Sequence, residues 1–151
     1  MPNKTKKSKS KSDQKYFSSE RGYFTELFNS LRQRCGKTKY KRPGRKIHEM
    51  DIRDRHHLIE LWHKQCQALG GPYCIFTGVE MTTIKNRGDG RKNGRTATNV
   101  SMDRLDASKP YTEENIVFCT WEFNERKGAV TIDDCYKILD IYERRKYGSS
   151  I

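Results

Sequence analysis

Long apolar stretches are missing from this chain of 151 residues. No run approaches the roughly 18 apolar residues of a membrane-spanning helix, so we expect no membrane span. The start, MPNKTKKSKSKS, lacks the apolar core of a signal peptide, so we expect a cytoplasmic protein that is not secreted. Hydrophobic residues make up only 33% of the chain, which predicts one modest domain with much exposed or disordered sequence.

The sequence also lacks the paired spacings of common zinc sites. It has five cysteines, an odd number, with no Cys-x-x-Cys pair, and its histidines include no His-x-x-x-His pair. We therefore expect reduced thiols, with Cys74 and Cys119 as small buried residues, and we do not expect a structural zinc ion. The histidines of the 51–70 segment are interpreted as surface residues or phosphate contacts.

Acidic residues are missing from Leu27 through His48, where basic residues accumulate. The whole chain carries a formal net charge of +12, which favours a polyanionic partner, with nucleic acid first. A charge run is usually a solvated surface, but one without counter-charges more often contacts phosphates. A second basic stretch, 84–98, is rich in Gly and Asn and predicts a mobile loop suited to a nucleic-acid groove. The predicted nucleic-acid contacts in these two stretches are Arg42, Arg45, Lys46, Arg87, Arg91, Lys92 and Arg95.

Apolar spacing predicts two helices in the first half of the chain. A Lys/Ser-rich tail, 1–16, is expected to be disordered. The region 17–71 is expected to be helical around the basic segment, with a first helix over 19–34 and a second from an N-cap at Asp51 to Gly70. Their predicted buried stripes are Phe24, Leu27, Phe28 and Leu31 in the first helix, and Leu58, Leu61, Trp62 and Leu69 in the second.

The second half, 72–148, is predicted to be one module of strands followed by helices. Strands are expected at 73–76, 99–104 and 115–119, and a short helix at 120–127 that Gly128 ends. Thr131 and Asp134 form a capping arrangement for a last helix packed on the module. Its predicted buried side consists of Cys135, Ile138, Leu139 and Tyr142. The fold class is therefore expected to be α+β.

Four polar residues stand at the ends of these predicted elements. Asp103 ends one strand, Asn115 follows in a turn-rich loop, and Asn124 and Lys127 lie one turn apart on the short helix. Phosphodiester hydrolysis needs a divalent metal, a base for the water, and a group that holds the base in place. A strand-end carboxylate and a helix-borne amide oxygen can hold one Mg²⁺ and leave positions for water and substrate.

The stretch from Asp103 to Lys127 resembles the HNH nucleases, also called ββα-metal or His-Me finger nucleases. Phage-encoded and intron-associated members carry the signature DRIDxSKGYTxxN…N…K, and this chain has DRLDASKPYT followed by Asn115, Asn124 and Lys127. Upstream, LIELWHKQCQALGGPYCIFTG is similar to the LxxLWxxQxGxCxxTG lead-in of the same group. The resemblance covers roughly residues 58–142. It implies a ββα-metal finger flanked by helices and a metal-dependent DNA endonuclease, with a homing-type enzyme as one form and double-stranded DNA as substrate.

The resemblance also implies roles for single residues. Asp103 and Asn124 match the two ligands of Mg²⁺ or Mn²⁺, and Asn115 matches the central asparagine that pins the loop of the finger. Lys109 and Lys127 are expected to contact nucleic acid. Arg104 stands where the family usually has its general-base histidine, and arginine keeps its proton at neutral pH.

Three interpretations of Arg104 follow. Asp106 is the base, with Tyr111 behind it; or the metal activates water while Arg104 clamps the scissile phosphate; or the protein is a catalytically silent DNA- or RNA-binding protein on the same scaffold. Simpler alternatives exist for each residue as well. Asp103 and Asp106 can pair with Arg104, Asn115 can be an ordinary turn residue, and Asn124 and Lys127 can face solvent.

Overall fold

The computed structural model describes residues 15–16, 18–39, 43–44, 46–85 and 94–148. They form, in chain order, α1 (Glu20–Arg34), α2 (Arg55–Leu69), β1 (Val100–Arg104), β2 (Ile116–Thr120), α3 (Trp121–Lys127) and α4 (Ile132–Tyr147). The predicted α+β class is confirmed. Residues 1–14 of the predicted tail lie outside the described residues. Within the described part of the chain, no helix combines the length and apolarity needed to cross a membrane.

Local sequence signals account for most helix ends. Ser19 caps α1 by accepting a hydrogen bond from the Gly22 amide, and Gly70, at φ 76°, ends α2 in the left-handed region where glycine has no Cβ penalty. The predicted N-cap at Asp51 is wrong. The cap of α2 is Asp54, whose carboxylate accepts from the His57 amide, whereas Asp51 accepts from the Glu113 amide. Each of these contacts satisfies a backbone donor that the local chain leaves unpaired.

The core lies between α1, α2 and one face of the β1–β2 ribbon. The two strands are antiparallel, with Met102 opposite Phe118 and Asp103 opposite Val117. Phe118 packs edge-on against Phe24 and Trp62, with ring centroids 5.8 and 5.4 Å apart. Because side chains alternate across a strand, Ser101 and Asp103 are left on the opposite face of the ribbon. That opposite face is the one covered by α3.

A side chain of α2 fixes the ribbon at its β2 side. Gln65 donates from Nε2 to the Phe118 carbonyl at 2.8 Å and accepts from the Phe118 amide through Oε1 at 2.9 Å. The Ile75 amide also donates to the Phe118 carbonyl, at 3.3 Å. Both backbone groups of Phe118 therefore bond away from β1, and α2 holds the register of β2.

Two of the predicted buried or extended segments differ in the structure. The run 73–76 is not a strand: Tyr73 makes one isolated bridge to Glu80, and the chain then turns, with the Gly78 amide bonding the Cys74 carbonyl. Leu69, predicted to be buried, is 41% exposed at the end of α2. The first difference arises because the chain turns tightly after Tyr73. The second arises because no other described element covers the end of α2.

The last helix, α4, departs furthest from expectation. Its capping box is confirmed, because Thr131 and Asp134 each accept a hydrogen bond from the other's backbone amide. Its predicted packing is wrong, since none of its residues is buried. The apolar side chains Ile138, Leu139 and Tyr142 are 61%, 49% and 57% exposed. The helix is thus set by its cap and its own periodicity, without a partner surface in the described residues.

Candidate functional site

A buried ion pair joins α3 to β1. Lys127 Nζ donates to Asp103 Oδ2 at 2.7 Å, and the two side chains are 2% and 14% exposed. The ammonium also lies 5.6 Å from the centre of the Phe76 ring, and Phe76 stacks on Phe123 of α3. Lys127 is therefore neither solvent-facing nor a surface phosphate contact. The prediction that it binds nucleic acid is wrong because its charge is committed to Asp103 in the interior.

Asn124 lies one turn before Lys127 and binds the same strand. Its Nδ2 donates to Ser101 Oγ at 2.7 Å and to the Met102 carbonyl at 3.2 Å. Among the described residues, Asn124 Oδ1 and Asp103 Oδ1 accept no hydrogen bond. The structure thus brings Asp103 and Asn124 to one face of the ribbon, with an uncommitted oxygen on each.

Asn115 closes the loop between the strands. Its Oδ1 accepts from the Asp106 amide at 2.9 Å, and its Nδ2 donates to the carbonyls of Asp106 and Pro110 at 3.0 and 2.9 Å. The Leu105 amide also donates to the Asn115 carbonyl, at 2.9 Å. A buried amide that bonds both ends of a loop in this way is more than an ordinary turn residue. It fixes how the chain leaves β1 directly after Arg104.

Arg104 is paired with neither Asp103 nor Asp106. Its Cζ lies over the Tyr111 ring, 4.8 Å from the ring centre, and its Nη1 donates to the Lys109 carbonyl at 2.9 Å. Since Arg104 follows Asp103 on the strand, alternation directs it away from the Asp103–Lys127 pair. Arg104 is partly exposed at the end of the ribbon.

Asp106 is poorly suited to be a base. Its Oδ1 accepts from the Ser108 hydroxyl at 2.6 Å and from the Ser108 amide at 2.9 Å, and Lys109 Nζ lies 3.6 Å from Oδ2. These hydrogen bonds, above all from Ser108, lower the pKa of Asp106 below its ordinary value. A carboxylate stabilised in this way takes a proton from water less readily. The geometry therefore does not favour the first interpretation of Arg104.

His48 is a residue of this site that the sequence reasoning missed. Arg104 Nη1 is 3.4 Å from His48 Nδ1, and the imidazole packs edge-on against Tyr111 with ring centroids 5.6 Å apart. Burial, followed by the charges of Arg104, Lys46 and Arg34, lowers the pKa of His48 below its ordinary value. The ring is therefore neutral at neutral pH. No local signal marks His48, because its distance from Arg104 along the chain is 56 residues.

Backbone contacts hold the His48 segment against the loop between β1 and β2. Met50 and Tyr111 form a parallel bridge, the Tyr111 amide donates to the Glu49 carbonyl at 2.9 Å, and the Asp51 amide donates to the Tyr111 carbonyl at 3.2 Å. On its other side, the His48 amide donates to the Arg34 carbonyl at the end of α1, at 3.2 Å. His48 is thus placed from two directions by main-chain hydrogen bonds.

The predicted nucleic-acid contacts fall into three groups. Lys46 is exposed, and Lys109 is exposed beside Asp106. Arg95 is only partly exposed, and its Nε is buried without a hydrogen-bond partner among the described residues. Its charge opposes the rise that burial causes in the pKa of the Tyr23 hydroxyl. Five predicted contacts lie outside the described residues: Arg42, Arg45, Arg87, Arg91 and Lys92.

The histidines and cysteines of the described residues are mainly structural. His57 is buried, accepts from the Arg53 amide and lies 3.5 Å from Glu113, so its interpretation as a surface residue is wrong. All five cysteines are free, and Cys74 and Cys119 are buried as predicted. Burial, reinforced by the nearby Asp103 carboxylate, raises the pKa of Cys119, which keeps that thiol protonated.

Comparison of the chain with protein-family models, with curated proteins and with solved structures found no match.

Proposed function

We propose that the protein is a metal-dependent endonuclease that hydrolyses phosphodiester bonds in DNA. The observation that carries the proposal is the convergence of Asp103 with Asn124 and Lys127 on one face of a two-stranded ribbon, while Arg104 projects from the end of the same strand. The carboxylate and the amide oxygen lie on that face, and a guanidinium suited to a phosphate follows Asp103 at the end of the strand. Asn115 fixes the loop that joins them.

The oxygen atoms fit a hard divalent cation. Asp103 and Asn124 each have one oxygen without a hydrogen bond in the described part of the chain, and Mg²⁺ is commonly held by one or two such groups, with waters and substrate phosphates completing its shell. When bound, the ion supplies charge neutralisation at the phosphate and the leaving oxygen. Within the described residues, no three His, Cys, Asp or Glu side chains form a metal-holding group, so a closed protein cage is not proposed.

The chain's own residues perform the remaining tasks. Lys127 neutralises part of the Asp103 charge and fixes the orientation of that carboxylate through Oδ2. Arg104 binds the scissile phosphate through its planar fork, which presents two parallel donors. Lys46 and Lys109, both exposed near Arg104, add electrostatic attraction to the DNA backbone.

A DNA- or RNA-binding protein without catalytic activity is the second candidate. The Asp103–Lys127 pair favours it, because a buried ammonium already balances the carboxylate and repels a second cation. This candidate predicts salt-sensitive binding without cleavage, and the two candidates are separated by one assay.

The test is nicking of supercoiled plasmid by the purified full chain with Mg²⁺, with Mn²⁺, and with EDTA. Cleavage that needs the metal is expected, and Asp103→Asn and Asn124→Ala should each abolish it while leaving DNA binding in place. Asp133→Asn, an exposed carboxylate on α4, is the matched control and should cleave like wild type. Binding without any metal-dependent cleavage would refute the endonuclease and leave the silent binding protein.

A further inference from the structure

The Arg104 guanidinium cannot take a proton from water, but an imidazole from a distant part of the chain lies beside it. His48 lies against the guanidinium of Arg104 and the ring of Tyr111. Because the Glu49, Met50 and Asp51 backbone is bonded to Tyr111, and His48 itself to Arg34, the ring is held there by the fold. A side chain that merely drifted onto the surface would not have main-chain anchors on both sides.

The contact with Arg104 also determines the state of the ring. A guanidinium has donors only, so a ring nitrogen that faces it must provide a lone pair. His48 Nδ1 is that nitrogen, 3.4 Å from Arg104 Nη1, and it can accept this hydrogen bond when the imidazole is neutral with its proton on Nε2. The described groups that face the ring are all cationic or neutral: Arg104 from β1, Arg34 from α1, Lys46 from its own segment, and Tyr111 from the loop.

We infer that His48, which reaches the end of β1 from outside the ribbon, is the general base of the proposed phosphodiester hydrolysis. This inference rests on the proposed function. When a DNA phosphate draws the Arg104 fork toward itself, Nδ1 of His48 is released next to the phosphate that the fork now holds. His48 and Arg104 then divide between two residues the tasks of removing a proton and binding the phosphate.

The step balances without any further reagent than water. Water gives one proton to His48 Nδ1, and its oxygen forms a bond to phosphorus. The bond between phosphorus and one bridging oxygen breaks, the electron pair stays on that oxygen, and a proton from solvent completes the hydroxyl group. His48 then returns its extra proton to solvent, so the chain is unchanged at the end of a turnover.

The ring is suited to the task at neutral pH. Burial and the surrounding cations keep the pKa of His48 below its ordinary value, so the base is already unprotonated when DNA binds. Protonated His48 cannot act as a base, so the cleavage rate should rise with pH through the pKa of His48 and level off above it. Removing the charge of Lys46 raises that pKa, and the rising limb should therefore move to higher pH in Lys46→Gln.

The experiment compares His48→Gln with wild type under single-turnover conditions, at saturating DNA and Mg²⁺. The rate should fall by about 10²- to 10⁴-fold, the usual contribution of a general base, while the DNA dissociation constant stays within about threefold. The rising limb of the pH profile should disappear. His63→Gln, an exposed histidine of α2 with a side chain 59% accessible, is the matched control and should keep both rate and profile.

Two further measurements keep the inference testable if glutamine disturbs the loop. His48→Gly should regain part of its rate when free imidazole is added, and wild type should not be accelerated. In the metal-free protein, NMR titration should give His48 a pKa below the ordinary histidine value, and that pKa should rise in Lys46→Gln.

Three outcomes would overturn the inference. Wild-type rate and pH profile in His48→Gln, or no imidazole rescue of a folded His48→Gly, would remove His48 as base and leave the endonuclease standing. Absence of metal-dependent cleavage by wild type would overturn the proposed function and the base together.

Discussion

Replacing Lys127 with methionine tests the Asp103–Lys127 pair and the metal proposal together. The change keeps a long apolar side chain beneath Phe76 but leaves Asp103, 14% exposed, without its counter-charge. Breaking one partner of a buried pair costs about 3–5 kcal/mol, and the residual exposure of Asp103 favours the lower end. In EDTA, urea unfolding of Lys127→Met should therefore show a loss of about 3 kcal/mol.

Mg²⁺ should restore much of that loss if Asp103 and Asn124 bind it. A ligand at 100 times its dissociation constant stabilises the folded state by about 2.7 kcal/mol. The gain should be larger in Lys127→Met than in wild type, because the competing ammonium is gone. The measurement is the urea midpoint at neutral pH with EDTA and with increasing Mg²⁺.

The controls separate charge from packing. Asp103→Asn combined with Lys127→Met removes both charges, so it should be more stable than Lys127→Met alone and insensitive to Mg²⁺. Lys137→Met, at a position 74% exposed on α4, should stay within about 0.5 kcal/mol of wild type. A free energy of unfolding in EDTA equal to that of wild type would show that Lys127 does not stabilise Asp103. Equal stabilisation of the single and double variants by Mg²⁺ would show that Asp103 does not bind the ion.

Three further predictions concern the loop, the DNA surface and the last helix. Asn115→Ala leaves one amide and two carbonyl groups without their partner and should lower the free energy of unfolding by about 2–4 kcal/mol in urea; a loss below 1 kcal/mol would contradict its role in the loop. Combining Lys46→Gln with Lys109→Gln should reduce the slope of log affinity against log salt for duplex DNA by about 1.8. Arg126→Gln, at an exposed position of α3, is the control and should leave the slope unchanged. An unaltered slope in the double variant would exclude these lysines from the proposed DNA interface. Deleting 132–151 should shift the urea midpoint little, since α4 buries no residue, and a loss of several kcal/mol would show that α4 packs on the module after all.

Elements with local signals could be predicted from the sequence. The stop at Gly128 and the capping box at Thr131 involve neighbours within three or four residues, and both are found where the pattern predicts them. The strands 100–104 and 116–120 were predicted to within one residue at each end. Asn115 bonds the loop in the way that the resemblance implies. The hydrogen bonds of Asn124 to β1 were not among the predictions.

What the sequence could not supply depends on contacts between distant segments. The apolar stripe of α4 has the same periodicity as a packed helix, and only the rest of the fold decides whether a surface meets it. Lys127 resembles any basic residue in the last turn of a helix, and its burial follows from Phe76, which lies 51 residues earlier. His48 is brought to Arg104 by the bridge between Met50 and Tyr111, which leaves no trace in the local pattern.

The two hydrogen bonds from the Gln65 side chain to the backbone of Phe118 affect how the folded protein can associate with other chains. A two-stranded ribbon has two open edges, and each can serve as a template on which another chain adds a strand and begins to aggregate. At the middle of β2 no further strand can pair, because the side-chain amide of Gln65 already bonds both the amide and the carbonyl of Phe118. Gln65→Leu would leave α2 helical but free the backbone amide and carbonyl of Phe118 at the edge of β2. The variant should therefore self-associate and lose soluble protein before any catalytic property changes.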